Sequence, residues 1–232
     1  MRRRAFLRGA AAAAAVGPAA ATPAAAQAVA RPLRVQVVLF DGVEEQDFIG
    51  PYEVFSAAGM HAPGGLTVTY ARLAGPGVVT AAWGTKVQVD AGWAPREADV
   101  LVVPGGGYGR PDGPGIWAEI KDGALPRALA AARRRGLTMA SLCTGALLLS
   151  AAGITRGRPC TTHHGAVADL RAQGGVVKDA RVVDDGDLVT AGGITSGLDL
   201  GLHLVKRELG ADAAVHVETM LEYQARGTVW TR

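Results

Sequence analysis

The sequence is poor in the residues that bind metals and cross-link chains. Its 232 residues include five histidines and two cysteines. His61 and His203 have no neighbouring ligands at the spacings that zinc sites show, so we expect no metal site. With only Cys143 and Cys160 present, a single intrachain disulfide is the one cross-link to consider.

The positions of the two cysteines argue against that disulfide. Cys143 falls between a predicted strand and a predicted helix, and Cys160 opens the next strand at the far end of that helix. About nine helical residues, at roughly 1.5 Å each, separate the two by more than the limit of about 7 Å for a disulfide. Both thiols are therefore predicted to be free.

A surplus of positive charge is also missing once the N-terminus is set aside. Four of the 24 basic residues and none of the 21 acidic residues lie in the first 28 positions. The rest of the chain therefore carries a formal net charge of −1, although the whole chain carries +3. No basic stripe remains after residue 28, so we expect no nucleic-acid partner.

The first 28 residues have the pattern of an export signal. The segment begins with a basic stretch that contains four arginines, Arg2, Arg3, Arg4 and Arg8. An apolar, Ala-rich stretch follows and ends in small residues. This pattern predicts a twin-arginine signal peptide over residues 1–28, one domain over residues 29–232, and a periplasmic or secreted protein. The apolar stretch is too short and too rich in Ala for a membrane span of about 20 residues. A disordered or mis-started N-terminus is the alternative.

The chain does contain a regular alternation of strand and helix patterns. Apolar, β-branched runs predict buried strands, and amphipathic runs ended by glycine predict helices. The predicted strands are 33–40, 66–73, one or two within 78–89, 100–104, 137–142, 158–162 and a pair over 181–190; the predicted helices are 51–58, 124–135, 144–152, 166–173, 196–209 and 213–224. This order predicts the α/β class, with a mainly parallel sheet between helices on both faces. Ligands bind such sheets beyond the carboxyl ends of the strands.

A cysteine lies where one buried strand turns into a helix. The run A-S-L-C-T-G-A over residues 140–146 has small residues on both sides of Cys143, which permit the sharp turn of a nucleophile elbow. The thiol would lie at a helix N-terminus, where free N–H groups and the helix dipole favour a thiolate. A buried structural cysteine is the alternative. Gly145 and the helix start favour a nucleophile, because core packing requires neither.

Two further segments follow neighbouring strands and point to the same edge of the sheet. Gly105-Gly106-Gly107 ends one strand, and its backbone N–H groups, with that of Thr144, are candidates for an oxyanion hole. No lysine follows in the spacing of a phosphate-binding loop. Asp47 follows the first strand, and its carboxylate is a candidate proton donor or base for water.

These segments resemble the DJ-1/PfpI superfamily over nearly the whole chain after residue 28. The matching stretches are L-F-D-G-V-E-E-Q-D-F-I-G-P-Y-E-V-F, D-V-L-V-V-P-G-G-G, S-L-C-T-G-A-L-L-L-S-A-A-G, T-T-H and D-G-D-L-V-T-A-G-G-I-T-S-G-L-D-L. Together they are most similar to the isonitrile hydratase branch and to the ligand domains of related AraC-type regulators.

The resemblance implies a flavodoxin-like (class I glutamine amidotransferase-like) three-layer sandwich, usually dimeric, with a small-molecule substrate and no metal or organic cofactor. Carried over by position, Cys143 would attack an isonitrile carbon. Asp47 would relay protons and activate water, Thr144 would help to hold the intermediate, and Gly106 would donate a backbone N–H. The product would be an N-substituted formamide.

The chain departs from the family at two positions. The protease-like branch has a histidine directly after the nucleophile, whereas this chain has Thr144. The hydratase branch usually has a tryptophan after the T-T-H run, whereas this chain has His164, which changes the shape and polarity of the predicted pocket. His163 ends its strand close to Cys143 and is a second candidate for substrate binding, with packing as the alternative. His216, in a sequence His-Val-Glu, is interpreted as a helix surface residue.

Two other functions stay open on sequence grounds. The first is a binding or sensing domain, in which Cys143 is oxidised or holds a ligand without turnover. The second is a glyoxalase-like or deglycase activity on a carbonyl substrate.

Overall fold

The computed structural model describes residues 31–62 and 64–232, so the predicted signal peptide lies outside the described residues. The strands are β1 Leu33–Val38, β2 Leu66–Arg72, β3 Gly77–Thr80, β4 Lys86–Val89, β5 Ala91–Gly92, β6 Val100–Val103, β7 Thr138–Ser141, β8 Pro159–Cys160, β9 Val176–Val177, β10 Val182–Asp184, β11 Leu188–Ala191 and β12 Val229–Thr231. The helices are α1 Glu45–Gly59, α2 Ile116–Asp122, α3 Ala124–Ala132, α4 Gly145–Ala151, α5 Val167–Ala172, α6 Ser196–Leu209 and α7 Ala211–Met220, with 3₁₀ turns at Pro95–Glu97 and His164–Ala166.

The central sheet has eight strands in the order β12-β10-β11-β7-β6-β1-β2-β5. Every neighbouring pair in it is parallel except β10 and β11, which form an antiparallel hairpin. The strands β6 and β11 are buried along their whole length, as expected for a sheet that is covered on both faces. The predicted mainly parallel sheet is therefore confirmed.

Helices form two separate groups around this sheet. The helices α1, α6 and α7 pack on one another, and α2 to α5 form a second group in which α4 contacts the other three. Their apolar side chains and those of the strands make one continuous core. The predicted α/β three-layer arrangement is confirmed. No helix in the described part of the chain is long and apolar enough to cross a membrane.

The strands β1, β6, β7 and β11 run in the same direction, so their carboxyl ends meet at one edge of the sheet. The segments that follow them hold Asp47, the glycine run 105–107, Cys143 and the segment 192–194. Residues that are far apart in sequence therefore converge at this edge.

Helix α1 begins at Glu45, six residues before the predicted start at Pro51, so Asp47 lies in a first helical turn and not in a loop. Acidic residues are favourable there because they face the positive end of the helix dipole. Proline normally marks a first turn, but here Pro51 lies inside the helix and packs on α6 at Gly197, where a Cβ would lie 3.0 Å from Pro51 Cδ. Tertiary packing therefore outweighs the local signal.

Four strands and helices were not predicted: β5, β9, β12 and α2. Each is short and lacks a clear periodicity, and the three strands form through pairing with β2, β8 and β10. Helix α7 begins two residues before the predicted helix and ends at Met220, four residues before its predicted end. His216 is exposed on α7 and its ring stacks on His61, with the centroids 4.8 Å apart.

Candidate active site

Cys143 has the strained backbone of a nucleophile elbow. Its φ is +51°, in the left-handed region that residues other than glycine rarely adopt. Two hydrogen bonds hold this conformation: its N–H donates to the Gly192 carbonyl at 2.7 Å, and the Thr162 hydroxyl donates to its carbonyl at 2.7 Å. The surrounding segments therefore fix the direction in which the thiol points. Both Cys143 and Cys160 are free, as predicted.

Gly145 permits the close approach of this elbow to the neighbouring strand. A Cβ at this position would lie 2.1 Å from the Val103 carbonyl oxygen and 2.6 Å from that of Pro104. Any side chain would push the start of α4 away from the end of β6. Gly145 therefore keeps Cys143 next to residues 105–107. This close approach is the reason that a glycine is needed at position 145.

Asp47 lies beneath this elbow, with no solvent exposure. Its Oδ2 accepts a hydrogen bond from the Gly105 N–H at 2.9 Å. Its Oδ1 has no well-oriented hydrogen bond, although the Cys143 thiol is near enough to lower the pKa of the carboxyl. Burial outweighs both interactions and raises the pKa of Asp47 to about 7. Near neutral pH the carboxyl can therefore both accept and donate a proton.

The thiol of Cys143 is protonated in this resting arrangement. Burial, followed by the charge of Asp47, raises its pKa to about 12, while the backbone N–H groups of Ile194 and Thr144 act in the opposite direction. The position of Cys143 at a helix N-terminus predicted a thiolate, whereas this raised pKa corresponds to a protonated thiol. Desolvation and a nearby carboxylate outweigh the amides at the start of a short helix. The side chain is only 6% exposed, so access to it is narrow.

The glycine run lies beside the thiol, but two of its amides already have partners. The Gly105 N–H is bound by Asp47, and the Gly106 N–H donates to Thr144 Oγ1 at 3.1 Å. Gly106 has a φ of +146°, and a Cβ there would lie 2.3 Å from the Gly42 carbonyl oxygen. The Gly106 amide can bind a substrate only if the Thr144 hydroxyl moves away from it. The Gly105 amide instead positions Asp47.

The two histidines lie at the rim of the site. The His163 N–H donates to the Cys143 carbonyl at 3.4 Å, and its ring packs against Gly193 and lies 4.2 Å from the His164 ring, between centroids. His163 Nδ1 accepts from the Gly165 N–H at 3.1 Å, so a neutral His163 carries its proton on Nε2. Burial and His164 lower the pKa of His163. These contacts place both rings near Cys143 without showing a contact with the thiol.

Sequence reasoning missed two contributors to the site. Ile194 has a φ of +42°, rare for a β-branched residue, and its N–H interacts with the Cys143 thiol. The Tyr108 hydroxyl lies 2.9 Å from the Gly165 carbonyl and 2.8 Å from Asp169 Oδ2, which ties the glycine run to the histidine segment. A sequence signal for the Ile194 segment was present in the pair Gly192-Gly193. This pair comes after a strand, as the run 105–107 does.

The described residues contain no group of three or more His, Cys, Asp or Glu side chains that could hold a metal ion. At this edge of the sheet the protein provides a buried thiol, a carboxyl with a pKa near neutrality, and backbone amides.

The chain is similar in sequence and in fold to known proteins. The DJ-1/PfpI family model matches residues 33–207. The chain is 30% identical to an isonitrile hydratase from Pseudomonas putida, over 82% of this chain and 78% of that protein. It is 30% identical to a deglycase from Pyrococcus abyssi, over 68% of this chain and 89% of that protein. The crystal structure of a ThiJ/PfpI family protein from Pseudomonas syringae superimposes with a TM-score of 0.72 and 26% identity, covering 90% of this chain and 83% of that one.

The fold and the site define a flavodoxin-like α/β protein with a cysteine at a nucleophile elbow. The chain belongs to the DJ-1/PfpI family.

The raised pKa of Asp47 makes the stability of the protein depend on pH. In the native state Asp47 keeps its proton up to pH about 7, whereas an unfolded aspartate loses it near pH 3.9. The native state therefore binds more protons between these values, and stability falls as pH rises through that window. When the pH rises from 5 to 8, we expect the wild type to lose roughly 3 kcal/mol of unfolding free energy relative to Asp47→Asn.

Urea denaturation of both proteins at the two pH values measures this shift. Titrating groups that do not interact with Asp47 contribute equally to both proteins and cancel. Parallel stability profiles would show that Asp47 is ionised in the native state at pH 5.

Proposed function

We propose that the protein is a cysteine-dependent hydratase that adds water to an isonitrile and releases an N-substituted formamide. The observation that carries this proposal is the contact between the Cys143 thiol and a buried Asp47 carboxyl whose pKa is about 7. The 30% identity to an isonitrile hydratase supports it. Such a reaction needs a nucleophile and one group that moves protons in both directions, and this pair supplies them.

In the first half of the reaction, Cys143 Sγ attacks the terminal carbon of the isonitrile. The S–H bond breaks as its proton passes to the Asp47 carboxylate, so no free thiolate accumulates. Asp47 then delivers this proton to the same carbon. One C–S bond and one C–H bond have formed, and the product is a thioimidate on Cys143.

In the second half, water replaces the sulfur. The Asp47 carboxylate takes one proton from water as the water oxygen bonds to the thioimidate carbon, and it passes this proton to the substrate nitrogen. The tetrahedral intermediate then collapses: the C–S bond breaks as the proton of the new hydroxyl group passes through Asp47 to the sulfur. The N-substituted formamide leaves, and Cys143 and Asp47 return to their starting states.

Thr144 and Gly106 are proposed to stabilise the intermediates. The Thr144 hydroxyl accepts the Gly106 N–H in the free site, so it occupies the place that an electron-rich substrate atom would take. An intermediate that displaces the hydroxyl gains the amide hydrogen bond. Because Thr144 stands where the protease-like branch has histidine, proton transfer falls to Asp47.

A protonated thiol disfavours the oxidation-sensing alternative. Peroxides react with the thiolate, and a pKa of about 12 leaves very little thiolate at neutral pH. The deglycase or glyoxalase alternative has more support, because a deglycase is among the relatives. It requires the site to admit a carbonyl carbon and its substituents next to a thiol that is 6% exposed. A terminal isonitrile is linear and narrow, so the restricted access favours it.

A substrate panel tests the proposal directly. The purified protein is incubated with alkyl isonitriles, with 1,2-dicarbonyl compounds and with peroxide, and products are identified by mass spectrometry and NMR. We expect formamide from the isonitriles. Consumption of dicarbonyl compounds without any formamide would instead support the glyoxalase or deglycase activity. Rapid oxidation of Cys143 with no turnover of either class would support sensing.

We further propose an exported homodimer. The N-terminal arginines and the family resemblance support this assignment.

A further inference from the structure

A cavity of about 690 Å³ adjoins the elbow on the side of the two histidines. Its wall includes Thr162, His163, Gly192 and Ile194, each of which also interacts with Cys143 through its backbone or hydroxyl. The cavity and Cys143 therefore share these four residues as neighbours. It is large enough for the part of a substrate that cannot enter the narrow space at Cys143.

The lining of this cavity also includes two cationic side chains. Arg171 and Lys178 line it, and neither forms an ion pair with any described residue. The Lys178 ammonium lies 5.0 Å from the centroid of the Trp230 ring, which stabilises a cation without neutralising it.

Other charges on the wall do not cancel these two cations. Arg181 also lines the cavity, but Asp199 pairs with it at 2.5 Å and neutralises it. The remaining acidic residue of the lining is Asp179, which leaves an excess of one positive charge. His163, whose Nδ1 accepts the Gly165 N–H and whose Nε2 therefore carries the ring proton of the neutral form, also lines this cavity.

Charge therefore differs between the two ends of the site. The deep end holds the Asp47 carboxyl, which disfavours a second negative group near the thiol. The outer end holds Arg171 and Lys178, which favour one. A substrate with an anionic group at one end and a narrow electrophile at the other fits in one orientation only.

We propose that the substrate carries a carboxylate that binds between Arg171 and Lys178 while its isonitrile carbon reaches Cys143. The substrate class is thus an isonitrile-bearing carboxylic acid. The identity of the reacting group rests on the proposed function, whereas the anion site rests on the cavity and its charges alone.

Turnover tests the substrate class. We expect the KM of an ω-isocyano carboxylate to be about tenfold lower than that of its methyl ester, as one charge-assisted hydrogen bond allows. In the double variant Arg171→Gln/Lys178→Gln, the KM of the ester divided by the KM of the carboxylate should fall to about one. The kcat for the ester should change much less than this KM ratio. The matched control is Arg127→Gln on α3, which removes one positive charge from an exposed position outside the cavity lining. A KM ratio near one in the wild type, or a ratio unaltered in the double variant, overturns the proposal.

Alkylation of Cys143 tests the anion site without any isonitrile. Iodoacetate carries a carboxylate and iodoacetamide is its neutral counterpart, and peptide mass spectrometry separates Cys143 from Cys160. We expect the iodoacetate-to-iodoacetamide rate ratio to fall about tenfold in the double variant, to stay constant in Arg127→Gln, and to fall at high salt in the wild type. An unchanged rate ratio in the double variant counts against the anion site. If no isonitrile is turned over, the proposed function fails, and this rate ratio alone decides whether the anion site exists.

Discussion

Replacing Cys143 by alanine is expected to abolish formamide production, with a loss in kcat of at least about 10³-fold. In the proposed mechanism the sulfur forms the bond that converts the isonitrile into a thioimidate, and no other described side chain at the elbow offers a nucleophile of similar strength. Formamide release from an alkyl isonitrile, followed by NMR, gives the rate. Mass spectrometry of wild-type protein quenched during turnover should also show the thioimidate adduct on Cys143.

Cys160→Ala is the matched control for this substitution. Cys160 is fully buried at the end of β8, where it pairs with Val177 of β9, so its replacement is expected to lower stability and leave turnover in place. Both variants remove one sulfur, which controls for nonspecific thiol effects. Substantial formamide production by a correctly folded Cys143→Ala variant would eliminate the covalent mechanism.

Replacing Asp47 by asparagine is expected to change turnover and thiol reactivity in opposite directions. Asparagine can still accept the Gly105 N–H, but it cannot carry a proton between sulfur, carbon and water, so we expect kcat to fall about 10²- to 10⁴-fold. Asp47 raises the pKa of Cys143, so its neutralisation lowers that pKa and alkylation by iodoacetamide at pH 8 becomes faster. A purely structural role for Asp47 would not make the thiol more reactive while slowing turnover.

The wild-type pH profile provides the third readout for this variant. Because the carboxylate accepts the thiol proton in the proposed mechanism, kcat/KM should fall as pH drops below about 7, and this acid limb should be missing in Asp47→Asn. Asp112→Asn, on an exposed loop, is the control for loss of a carboxylate. Retained kcat in Asp47→Asn, or an alkylation rate that does not rise, would assign the proton transfer to another group.

The sequence predicted the parts of the site that are local in the chain. Small residues between a buried strand and a helix predicted the sharp turn at Cys143. The positive φ of Cys143 is the backbone conformation of that turn. The position of Asp47 near the same edge follows from the rule that carboxyl ends of parallel strands converge. The glycine run was found because it directly follows a strand.

The parts that escaped prediction depend on contacts between distant segments. The hydrogen bond from Gly105 to Asp47 joins residues 58 positions apart, and the Ile194 amide reaches Cys143 across the gap between two strand ends. The protonation state of Cys143 was misjudged for the same reason. A helix N-terminus is visible in sequence, whereas burial beside Asp47 becomes visible only in the folded chain. The start of α1 was misplaced because the packing of Pro51 on α6 outweighs its local preference.

Burial of the Cys143 thiol also has a consequence for the lifetime of the protein outside a reducing compartment. Folding raises the pKa of this thiol from 9.0 to about 12, which reduces its thiolate fraction at neutral pH by about a thousandfold relative to the unfolded chain. Disulfide exchange and peroxide attack both require thiolate. The thiol of the free protein is therefore protected from both reactions, and in the proposed mechanism it loses its proton only as it attacks a substrate.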